Sequence, residues 1–418
     1  MTDSAVKDKT EPAPPAPKKA KVKAVKPTVV KEFEVTRADL AAVLAGPARA
    51  ATSKNTALPA LSGLLFEFAN GRLSVTGTDL DLTVTSTCTV KGRSTSKVLV
   101  PSKLIAAVAN RLPADTVTLT VDGDTVTVRA GEFAATVSGT PASEFPGPAC
   151  PECAEGNVVD LDTLHLLAAV EKVAFASSDD QMVPILNTVL FRPNVDGPGM
   201  TLVATDRYRL AVAACEAQLP AADDMLVPTT ALTALSRLVG DVEKVECVIG
   251  VDKVMFTAGP HRLVTRTVPG AFPDYKQLMP AGFPGQPQAV TVVVNRQHLA
   301  DAVRRVGLIC DDLVPIRLAF SRDGIRLDAA AADVGVTGEQ VEATVLAREV
   351  SDDGETVEPV EAPGPVLTMA VKARYLTEAL ASFADDDVTI ALQDAAKQFF
   401  VHGARPAEHV HLLMPVRL

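Results

Sequence analysis

The stretch Val203-Ala204-Thr205-Asp206-Arg207-Tyr208-Arg209-Leu210-Ala211-Val212 predicts a strand, a Thr-Asp turn and a second strand. Related stretches are Gly77-Thr78-Asp79-Leu80-Asp81-Leu82 upstream and Ala331-Ala332-Asp333-Val334-Gly335-Val336 downstream. Successive aspartates in the series Asp79, Asp206 and Asp333 are 127 residues apart. This domain-sized period predicts one unit repeated three times. The middle copy carries two arginines and a tyrosine that the others lack, so it is the first place to look for a functional site.

Each unit is predicted to contain two rounds of a strand, a helix and further strands. Two helices backed by antiparallel sheets make an α+β domain, and three such domains suit a chain of 418 residues. The expected divisions are 1–30, 31–150, 151–283 and 284–418, the first being a tail and the others the domains.

Apolar residues at spacings of three and four predict the buried face of the first helix in each unit. These residues are Leu40, Val43 and Leu44 in the first unit, Leu164, Leu167, Ala168 and Val170 in the second, and Leu299, Val303 and Val306 in the third.

Composition indicates a water-soluble globular protein, with 47% hydrophobic and 22% charged residues. The sequence contains neither an apolar run long enough for a membrane span nor a signal peptide, so we expect a cytoplasmic protein. The six cysteines are scattered, which indicates reduced thiols. The single Cys150-Pro-Glu-Cys153 motif favours a plain loop over a metal or redox site.

Two segments are expected to lie outside the repeated units. Residues 1–30, with seven lysines against three acids and many prolines, predict a disordered tail, either a solubilising leader or a DNA-tethering arm. The acidic, proline-containing stretch 351–365 predicts a surface loop that lengthens the third unit.

The net charge of −11 argues against nucleic acid as a partner. However, the predicted helices concentrate cations, and two arcs of three equal domains can close a ring whose helices face inward. Such a basic bore would hold DNA without reading its sequence. The cations that we expect to face DNA are Lys103, Arg111, Lys172, Arg237, Arg296, Arg304, Arg305 and Lys372, while Arg37 and Arg374 also lie on these helices.

Four motifs, in this order and spacing, resemble one family. They are Gly77-Thr78-Asp79-Leu80, the stretch Ala204–Ala211, Phe272-Pro273-Asp274-Tyr275 and the ending Met414-Pro415-Val416-Arg417-Leu418. Together they resemble the bacterial sliding clamp, the beta subunit of DNA polymerase III. The resemblance covers residues 31–418 and implies a head-to-tail homodimeric ring of six similar domains around double-stranded DNA. It adds Lys54 to the DNA-facing set.

The resemblance also implies a hydrophobic pocket between the second and third domains. There the DNA polymerase III alpha subunit, the clamp loader, other polymerases and repair proteins would dock short linear peptides. The matching positions are Leu186, Thr205, Tyr208, Arg209, Leu210, Pro273, Gln277, Leu278, Tyr375, Met414, Pro415, Val416, Arg417 and Leu418. Their chemistry fits, because most are apolar while Tyr208 and Arg209 can fix polar groups of a peptide. Val137, Leu308 and Ile309 are expected at the dimer interface by position.

Lys372 departs from the family pattern, since a small polar residue often stands there beside the pocket. The loops Ser53–Thr56, Cys150–Cys153 and 351–365 are also atypical. These loops motivate an alternative, namely a specialised second clamp that serves an accessory polymerase or resists an inhibitor of the housekeeping clamp. A monomer that sequesters partner peptides is a third possibility.

An enzyme is the alternative from another functional class. The sequence contains no Gly-rich phosphate loop, metal-ligand cluster or nucleophile–base motif, so we expect no catalytic residue, metal or cofactor. The three repeated aspartates recur at one turn, which favours turn stabilisation over catalysis.

Overall fold

The computed structural model describes residues 31–51, 58–147, 157–194, 197–217, 219, 223–279, 288–310, 314–351, 354–359 and 364–417. Lys54, Leu418, the 1–30 tail and the Cys150–Cys153 motif lie outside these ranges, so the predictions made for them stay predictions.

Repeat 1 alternates strands with two helices packed against them. Thr36 caps the first helix by accepting a hydrogen bond from Asp39 N at 3.0 Å, as hydroxyl residues at this position typically do. The elements are β1 (Lys31–Thr36), α1 (Arg37–Ala50), β2 (Gly63–Ala69), β3 (Arg72–Thr78), β4 (Leu82–Thr89), β5 (Ser96–Pro101), α2 (Ser102–Ala109), β6 (Thr116–Asp122), β7 (Thr125–Ala130) and β8 (Phe133–Ser138).

Repeat 2 has the same order, and Asp162 caps its first helix by accepting from His165 N at 3.0 Å. The elements are β9 (Asn157–Asp162), α3 (Thr163–Val173), β10 (Thr188–Pro193), β11 (Met200–Thr205), β12 (Arg209–Cys215), β13 (Met225–Pro228), α4 (Thr229–Ser236), β14 (Lys244–Ile249), β15 (Lys253–Ala258) and β16 (His261–Arg266).

Repeat 3 adds two strands to this order, and Asn295 caps its first helix by accepting from His298 N at 3.1 Å. The elements are β17 (Val290–Asn295), α5 (Arg296–Val306), β18 (Ile316–Ser321), β19 (Gly324–Ala331), β20 (Gly335–Val341), β21 (Ala343–Ser351), β22 (Gly354–Pro359), β23 (Leu367–Val371), α6 (Ala373–Ala381), β24 (Asp387–Leu392), β25 (Phe399–His402) and β26 (His409–Leu413).

Sheets run through the boundaries between repeats. The order β5-β2-β3-β4 of repeat 1 continues into β16-β15-β14-β9 of repeat 2, and β13-β10-β11-β12 continues into β26-β25-β24-β17-β21-β22 of repeat 3. The junctions are the antiparallel pairs β4–β16 and β12–β26. Two four-stranded sheets remain, β1-β6-β7-β8 in repeat 1 and β20-β19-β18-β23 in repeat 3. We call β4–β16 the first junction and β12–β26 the second junction.

The predicted fold class is confirmed: three tandem repeats each carry two helices against antiparallel sheets. The buried face is as predicted for α1, where Leu40, Val43 and Leu44 are at most 2% exposed. For α3 the prediction holds at Val170 but is wrong at Leu164, which is 77% exposed; Val170 shares its buried stripe with Leu166, Ala169 and Val173.

The 351–365 stretch is also not simply a loop. Its first part belongs to the hairpin β21–β22, in which Ser351 pairs with Gly354 and Leu346 with Pro359. This hairpin extends the sheet beyond β17. Cys88, Cys215 and Cys247 are free thiols, as predicted for these positions. No helix among the described residues combines the length and apolarity needed to cross a membrane.

Candidate peptide-binding groove at the second junction

The turn between β11 and β12 is built by Thr205, Asp206 and the residues that follow them. Asp206 Oδ1 accepts hydrogen bonds from the backbone N–H groups of Tyr208 and Arg209, both at 2.9 Å. Thr205 Oγ1 donates to Arg209 O at 2.6 Å and accepts from Arg207 N at 3.2 Å. Asp206 therefore stabilises the turn, as predicted, and the turn leaves Tyr208 60% exposed.

Asp79 does the same in repeat 1, where its Oδ1 accepts from Asp81 N at 3.1 Å and Leu82 N at 2.7 Å. Repeat 3 differs. Its strands continue to the pair Ala331 and Gly335, and Asp333 lies in a shorter turn that Val334 N closes by donating to Ala331 O. The three aspartates are evenly spaced in sequence, but only the first two occupy the same structural position.

Arg209 does not face a ligand, which corrects its predicted role. It is 4% exposed, and its Nε donates to Asp206 Oδ2 at 3.0 Å. Its terminal nitrogens donate to Glu378 Oε2 on α6 and to the carbonyl oxygen of Phe175. Because these donors are used inside the protein, Arg209 ties repeat 2 to repeat 3 and cannot fix the polar groups of a peptide.

Aromatic rings complete the surroundings of this guanidinium. It lies 4.6 Å from the ring centre of Tyr375 and 5.4 Å from that of Phe175, within the range of cation–π attraction. Burial first, and then the neighbouring Asp206 carboxylate, raise the pKa of Tyr375. Its hydroxyl therefore stays protonated at neutral pH.

Three segments lie side by side next to this network, and we call the surface between Tyr208, Leu278 and Met414 the groove. Met414 N donates to Tyr208 O, and Val416 N donates to Ala370 O, both at 2.9 Å. The chain end is thereby fastened across the turn and the end of β23. Leu278 reaches the same region, because its carbonyl accepts from Gln398 at 3.4 Å and the next residue, Phe399, pairs with Leu413.

The groove has exposed apolar walls over a buried floor. Leu278 is 46% exposed and Met414 is 36% exposed. The floor is a cluster of buried side chains that spans both repeats and includes Leu190, Leu210, Phe272, Tyr275, Phe400 and Leu412. An exposed apolar wall with flexible methionine is typical of surfaces that accept several ligands.

The other residues predicted for the pocket divide by exposure. Leu186, Thr205 and Leu210 are buried, Tyr375, Pro415 and Val416 are partly buried, and Pro273, Gln277 and Arg417 are exposed. Gln277 donates to Asp274 Oδ2 at 2.9 Å, which holds the segment ahead of Leu278. The assignment of this set to peptide binding stays a prediction.

Sequence reasoning missed Glu378 and Phe175. Glu378 receives Arg209 and also Arg374, whose Nε donates to Glu378 Oε1 at 2.9 Å. The spacing of Arg374 and Glu378, four residues apart on one helix, was a visible signal for that ion pair. The bond from Arg209 crosses 169 residues of sequence, and local patterns contain no signal for it.

Lys372, which was predicted to face DNA, lies beside the groove. It is partly buried at the start of α6. Its Nζ lies 5.4 Å from the ring centre of Tyr375 and 5.9 Å from that of the exposed Tyr208.

Some of the other cations that were predicted to face DNA are already paired with acceptors inside the protein. Arg304 contacts Asp301 at 2.7 Å, and Arg305 holds both oxygens of Glu339 at 2.9 and 2.5 Å. Arg296 Nε donates to Asp385 O at 2.8 Å. The other described members of the predicted DNA-facing set are Lys103, Arg111 and Arg237, which are exposed, and Lys172, which is partly buried.

The residues predicted at the dimer interface also divide. Leu308 is 82% exposed, and Ile309 is partly buried against the core of repeat 3. Val137 is 1% exposed inside repeat 1, because its side chain points from β8 into that core. Val137 therefore cannot offer its side chain to a partner, which corrects that prediction.

Buried histidines line the second junction. His409 and His411 lie on β26, and both rings contact Phe383. Burial, and then the charge of Lys172, lower the pKa of His409 to about 4, while burial lowers that of His411 well below its usual value. Both are neutral at physiological pH. Within the described ranges, no group of three or more His, Cys, Asp or Glu side chains could hold a metal ion.

Two domain families of one protein match this chain. Residues 31–149 match the family described as DNA polymerase III beta subunit, N-terminal domain, and residues 160–274 match the central domain of the same subunit. Together the matches cover more than half of the chain.

Relatives match along nearly the whole chain. The beta sliding clamp of Streptomyces coelicolor is 28% identical over 406 residues, with 93% of this chain and 99% of the relative covered. That of Synechococcus elongatus is 29% identical over 374 residues, with 86% and 92% covered.

A solved structure gives the same correspondence. The sliding clamp of Bartonella birtlesii, crystallised with griselimycin, superposes with a TM-score of 0.81 at 26% identity, covering 93% of this chain and 100% of that one. The fold, the matched domains and the full-length relatives agree: the chain belongs to the beta sliding clamp family, the non-catalytic processivity subunit of DNA polymerase III.

Proposed function

We propose that this chain forms half of a closed ring, a head-to-tail homodimer that encircles double-stranded DNA in the cytoplasm and associates with the nucleoid during replication. It tethers the replicative polymerase and other clamp-binding proteins through the groove at the second junction. The domains are proposed to span 31–150, 151–283 and 284–418, as expected from the sequence.

The observation that carries the ring is that one junction occurs twice and leaves two complementary edges. In both junctions the strand that follows the aspartate turn, β4 or β12, pairs with the last strand of the next repeat, β16 or β26. In the described part of the chain, β20 of repeat 3 is the counterpart of β4 and β12 but pairs only with β19. Likewise, β8 of repeat 1 is the counterpart of β16 and β26 but pairs only with β7. A third junction of the same kind between two copies would close six repeats into a ring.

Exposure of these edges supports the same conclusion. On β16, Val264 and Thr265 are 6% and 2% exposed because β4 covers them. On β8, Phe133 is 38% exposed, and on β20, Val336 is 79% exposed. Exposed strand edges with apolar side chains are ready to pair with another chain.

The dimer is tested by native mass spectrometry at micromolar concentration. The wild-type chain should appear at twice its 43.8 kDa mass. Phe133→Asp and Leu308→Asp, each at one free edge or beside it, should shift the protein to the monomer. Val251→Asp is the matched control, because Val251 is fully exposed in repeat 2. A wild-type monomer would contradict the ring.

The topological function is tested by loading the protein onto a nicked circular plasmid with a bacterial clamp loader and ATP. We expect it to co-elute with the circle in gel filtration and to be lost once the DNA is cut. Release from circular and linear DNA at the same rate would show that the protein does not encircle DNA.

The groove is tested with griselimycin, which is bound in the Bartonella birtlesii and Pseudomonas aeruginosa clamp structures. Deleting Met414–Leu418 should abolish its binding, because the chain end forms one wall, while the dimer mass stays unchanged. Val251→Asp should bind normally. Unchanged binding by the deletion variant would remove the groove assignment.

A specialised second clamp is the other candidate, and Lys372 and the hairpin β21–β22 favour it. It would serve an accessory polymerase or resist an inhibitor of the housekeeping clamp. Affinities for polymerase peptides and griselimycin should then differ from those of a housekeeping clamp measured side by side. Equal affinities for every ligand would exclude the specialised role.

A further inference from the structure

An open hollow of about 1190 Å³ lies at the first junction, where strands β2 to β5 of repeat 1 meet β15 and β16 of repeat 2. The lining side chains used below are Arg72, Ser74, Thr85, Thr87, Lys97 and Arg262. We call this cavity the junction hollow. It is larger than the roughly 300–1,000 Å³ of sites for drug-sized ligands, so it can hold a segment of a longer ligand.

The junction hollow lies on the sheet face opposite the helices. Arg72 and Ser74 alternate along β3 with Leu73 and Val75, which are buried in the same core as the apolar side of α1. Successive side chains of a strand point to opposite faces of the sheet, so Arg72 and Ser74 point away from α1. In the proposed ring the helices face the encircled duplex, and the junction hollow therefore lies on the outside.

The junction hollow carries an excess of positive charge on a protein whose net charge is −11. Its lining contains four cations and two carboxylates, namely Lys31, Arg72, Lys97, Arg262, Glu67 and Asp124. Lys97 pairs with Glu67, whereas Arg72 donates to a neutral acceptor, Thr87 Oγ1, at 3.3 Å. Among the described residues, no carboxylate forms a salt bridge with Arg72 or with the exposed Arg262.

Hydroxyl groups stand beside Arg262. Its backbone pairs with Thr85 on one neighbouring strand and with Thr257 on the other. Thr257 Oγ1 is buried and has no hydrogen-bond partner in the described structure, and a buried hydroxyl without a partner destabilises the folded state. Guanidinium and hydroxyl donors side by side are the groups that hold phosphate oxygens in nucleic-acid complexes.

We propose that the junction hollow binds the phosphodiester backbone of a nucleic-acid segment that runs along the outside of the ring. Arg72 and Arg262 hold the phosphates, and the neighbouring hydroxyls donate to the same oxygens. Phe68, which also lines the hollow, is 1% exposed and offers no ring face for base stacking, so the binding does not depend on base sequence. That this face is the outside of the ring rests on the proposed function, whereas the phosphate binding does not.

The chain before β1 favours a polymer over a small phosphate compound. Lys31 lines the junction hollow, and its Nζ donates to Thr95 O. In the sequence just before it, five of the nine residues Lys18–Lys26 are lysines. An extended chain spans at most about 3.6 Å per residue, so a strand held at the hollow is within reach of these lysines. Basic arms of this kind are typical of nucleic-acid contacts.

Fluorescence polarisation with the full-length dimer tests the inference at a series of salt concentrations. The probes are a labelled oligothymidine of about 20 nucleotides and a labelled duplex of the same length, because the salt slope per phosphate differs between the two forms. The hollow variant is Arg72→Gln with Arg262→Gln. The matched control is Arg129→Gln with Arg317→Gln, which removes the same charge from two exposed strand arginines outside the hollow. Native mass and retention on nicked circles check that both variants still form rings.

We expect the hollow variant to bind one probe roughly tenfold more weakly than wild type at low salt. Its salt slope should fall by about 1.4 for the single strand or about 1.8 for the duplex, the values for two phosphate contacts. The probe that responds identifies the form of nucleic acid in the hollow, and the control should match wild type. Equal binding of both probes by the hollow variant and wild type, or an equal loss in the control, would overturn the inference and leave the ring intact.

A labelled thymidine trinucleotide separates a polymer from a small phosphate compound. It should bind wild type more weakly than the longer strand, because it cannot reach the lysines before Lys31. Equal affinity would assign the hollow to a small phosphate compound and overturn the assignment to nucleic acid. Failure of wild type to stay on a nicked circle would instead overturn the proposed ring, while the polarisation result would still decide whether the hollow binds phosphates.

Discussion

The first and second junctions use the same backbone for different purposes. In each, an aspartate follows the strand and accepts two backbone N–H groups, Asp79 in one and Asp206 in the other. The next residue has a positive φ in both, 86° at Leu80 and 79° at Arg207. Strands β4 and β12 then pair with the last strand of the next repeat.

The side chains on this shared backbone differ. The first junction continues with Asp81 and Leu82, and the second with Tyr208 and Arg209. Leu82 is partly buried against the core, whereas Arg209 binds across to α6 and leaves Tyr208 above a groove. Strand pairing therefore forms both junctions, while the side chains of Tyr208 and Arg209 make the second junction a candidate binding site.

The largest expected difference between the junctions comes from Arg209→Met. Removing the guanidinium leaves Asp206 and Glu378 without their buried partner, and breaking such a network costs about 3–5 kcal/mol. Leu82→Met is the matched change at the equivalent position of the first junction, where a volume-conserving swap costs less than about 1.5 kcal/mol. Urea unfolding of both variants measures the difference. Equal losses would mean that Arg209 does not hold the second junction together.

The junction histidines should give the next largest effect. Burial, and then the charge of Lys172, lower the pKa of His409 from its ordinary value of 6.5 to about 4 in the folded protein, so acid favours the unfolded state. Stability from this group is complete above pH 6.5 and is lost as pH falls toward 4, by about 3 kcal/mol. His409→Leu should flatten the pH dependence of unfolding, although His411 retains part of it.

His261 is the matched residue of the first junction. His261 pairs with Ser86, and His409 pairs with Ala213. Ala213 lies 127 residues after Ser86, so the two histidines face equivalent positions of β4 and β12. Burial lowers the pKa of His261 too, but its side chain is less buried than that of His409. We expect His261→Leu to flatten the pH profile less than His409→Leu. The reverse order would contradict the difference in burial.

The shared turn should respond alike at both junctions. Leu80 and Arg207 adopt a left-handed conformation that costs an L residue roughly 1–2 kcal/mol. Glycine removes that cost but adds chain entropy to the unfolded state. Leu80→Gly and Arg207→Gly should therefore each stabilise the protein by about 0.5–1 kcal/mol in urea unfolding. Leu80→Ala keeps the Cβ and should bring no gain; equal gains from Ala and Gly would exclude backbone strain as the cause.

The smallest expected effects concern DNA. Arg237, at the end of α4, is exposed, whereas Glu339 pairs with Arg305. Arg237→Ala should reduce the slope of log affinity against log salt by about 0.9, the value for one phosphate contact. Arg305→Ala should reduce it less, because Glu339 already compensates its charge. The double variant Arg304→Ala with Arg305→Ala should also reduce the slope by less than two phosphate contacts would. If Arg305→Ala and Arg237→Ala reduce the slope equally, the Arg305–Glu339 ion pair opens on DNA.

Local patterns predicted elements better than partners. The spacing of apolar residues identified all three first helices, but in α3 it selected the exposed Leu164 together with the buried Val170. Periodicity gives the existence of an amphipathic face, while the sheets that pack against the helix decide which residues it buries. Strand β22 was missed for a different reason: its acidic and proline residues hide the strand pattern, although its pairing with β21 is local.

The sequence by itself determined the threefold repeat, the Asp-centred turns, the order of strands and helices, and the motifs of the clamp family. These properties are local or periodic, so they can be read from neighbouring residues. Tertiary structure decided that Arg209 faces Glu378, that Lys372 stands over Tyr208, and that Val137 is buried while β8 and β20 each keep one edge without a partner strand among the described residues. Each depends on contacts between residues far apart in sequence, and only the folded chain fixes which charges meet and which strand edges remain open.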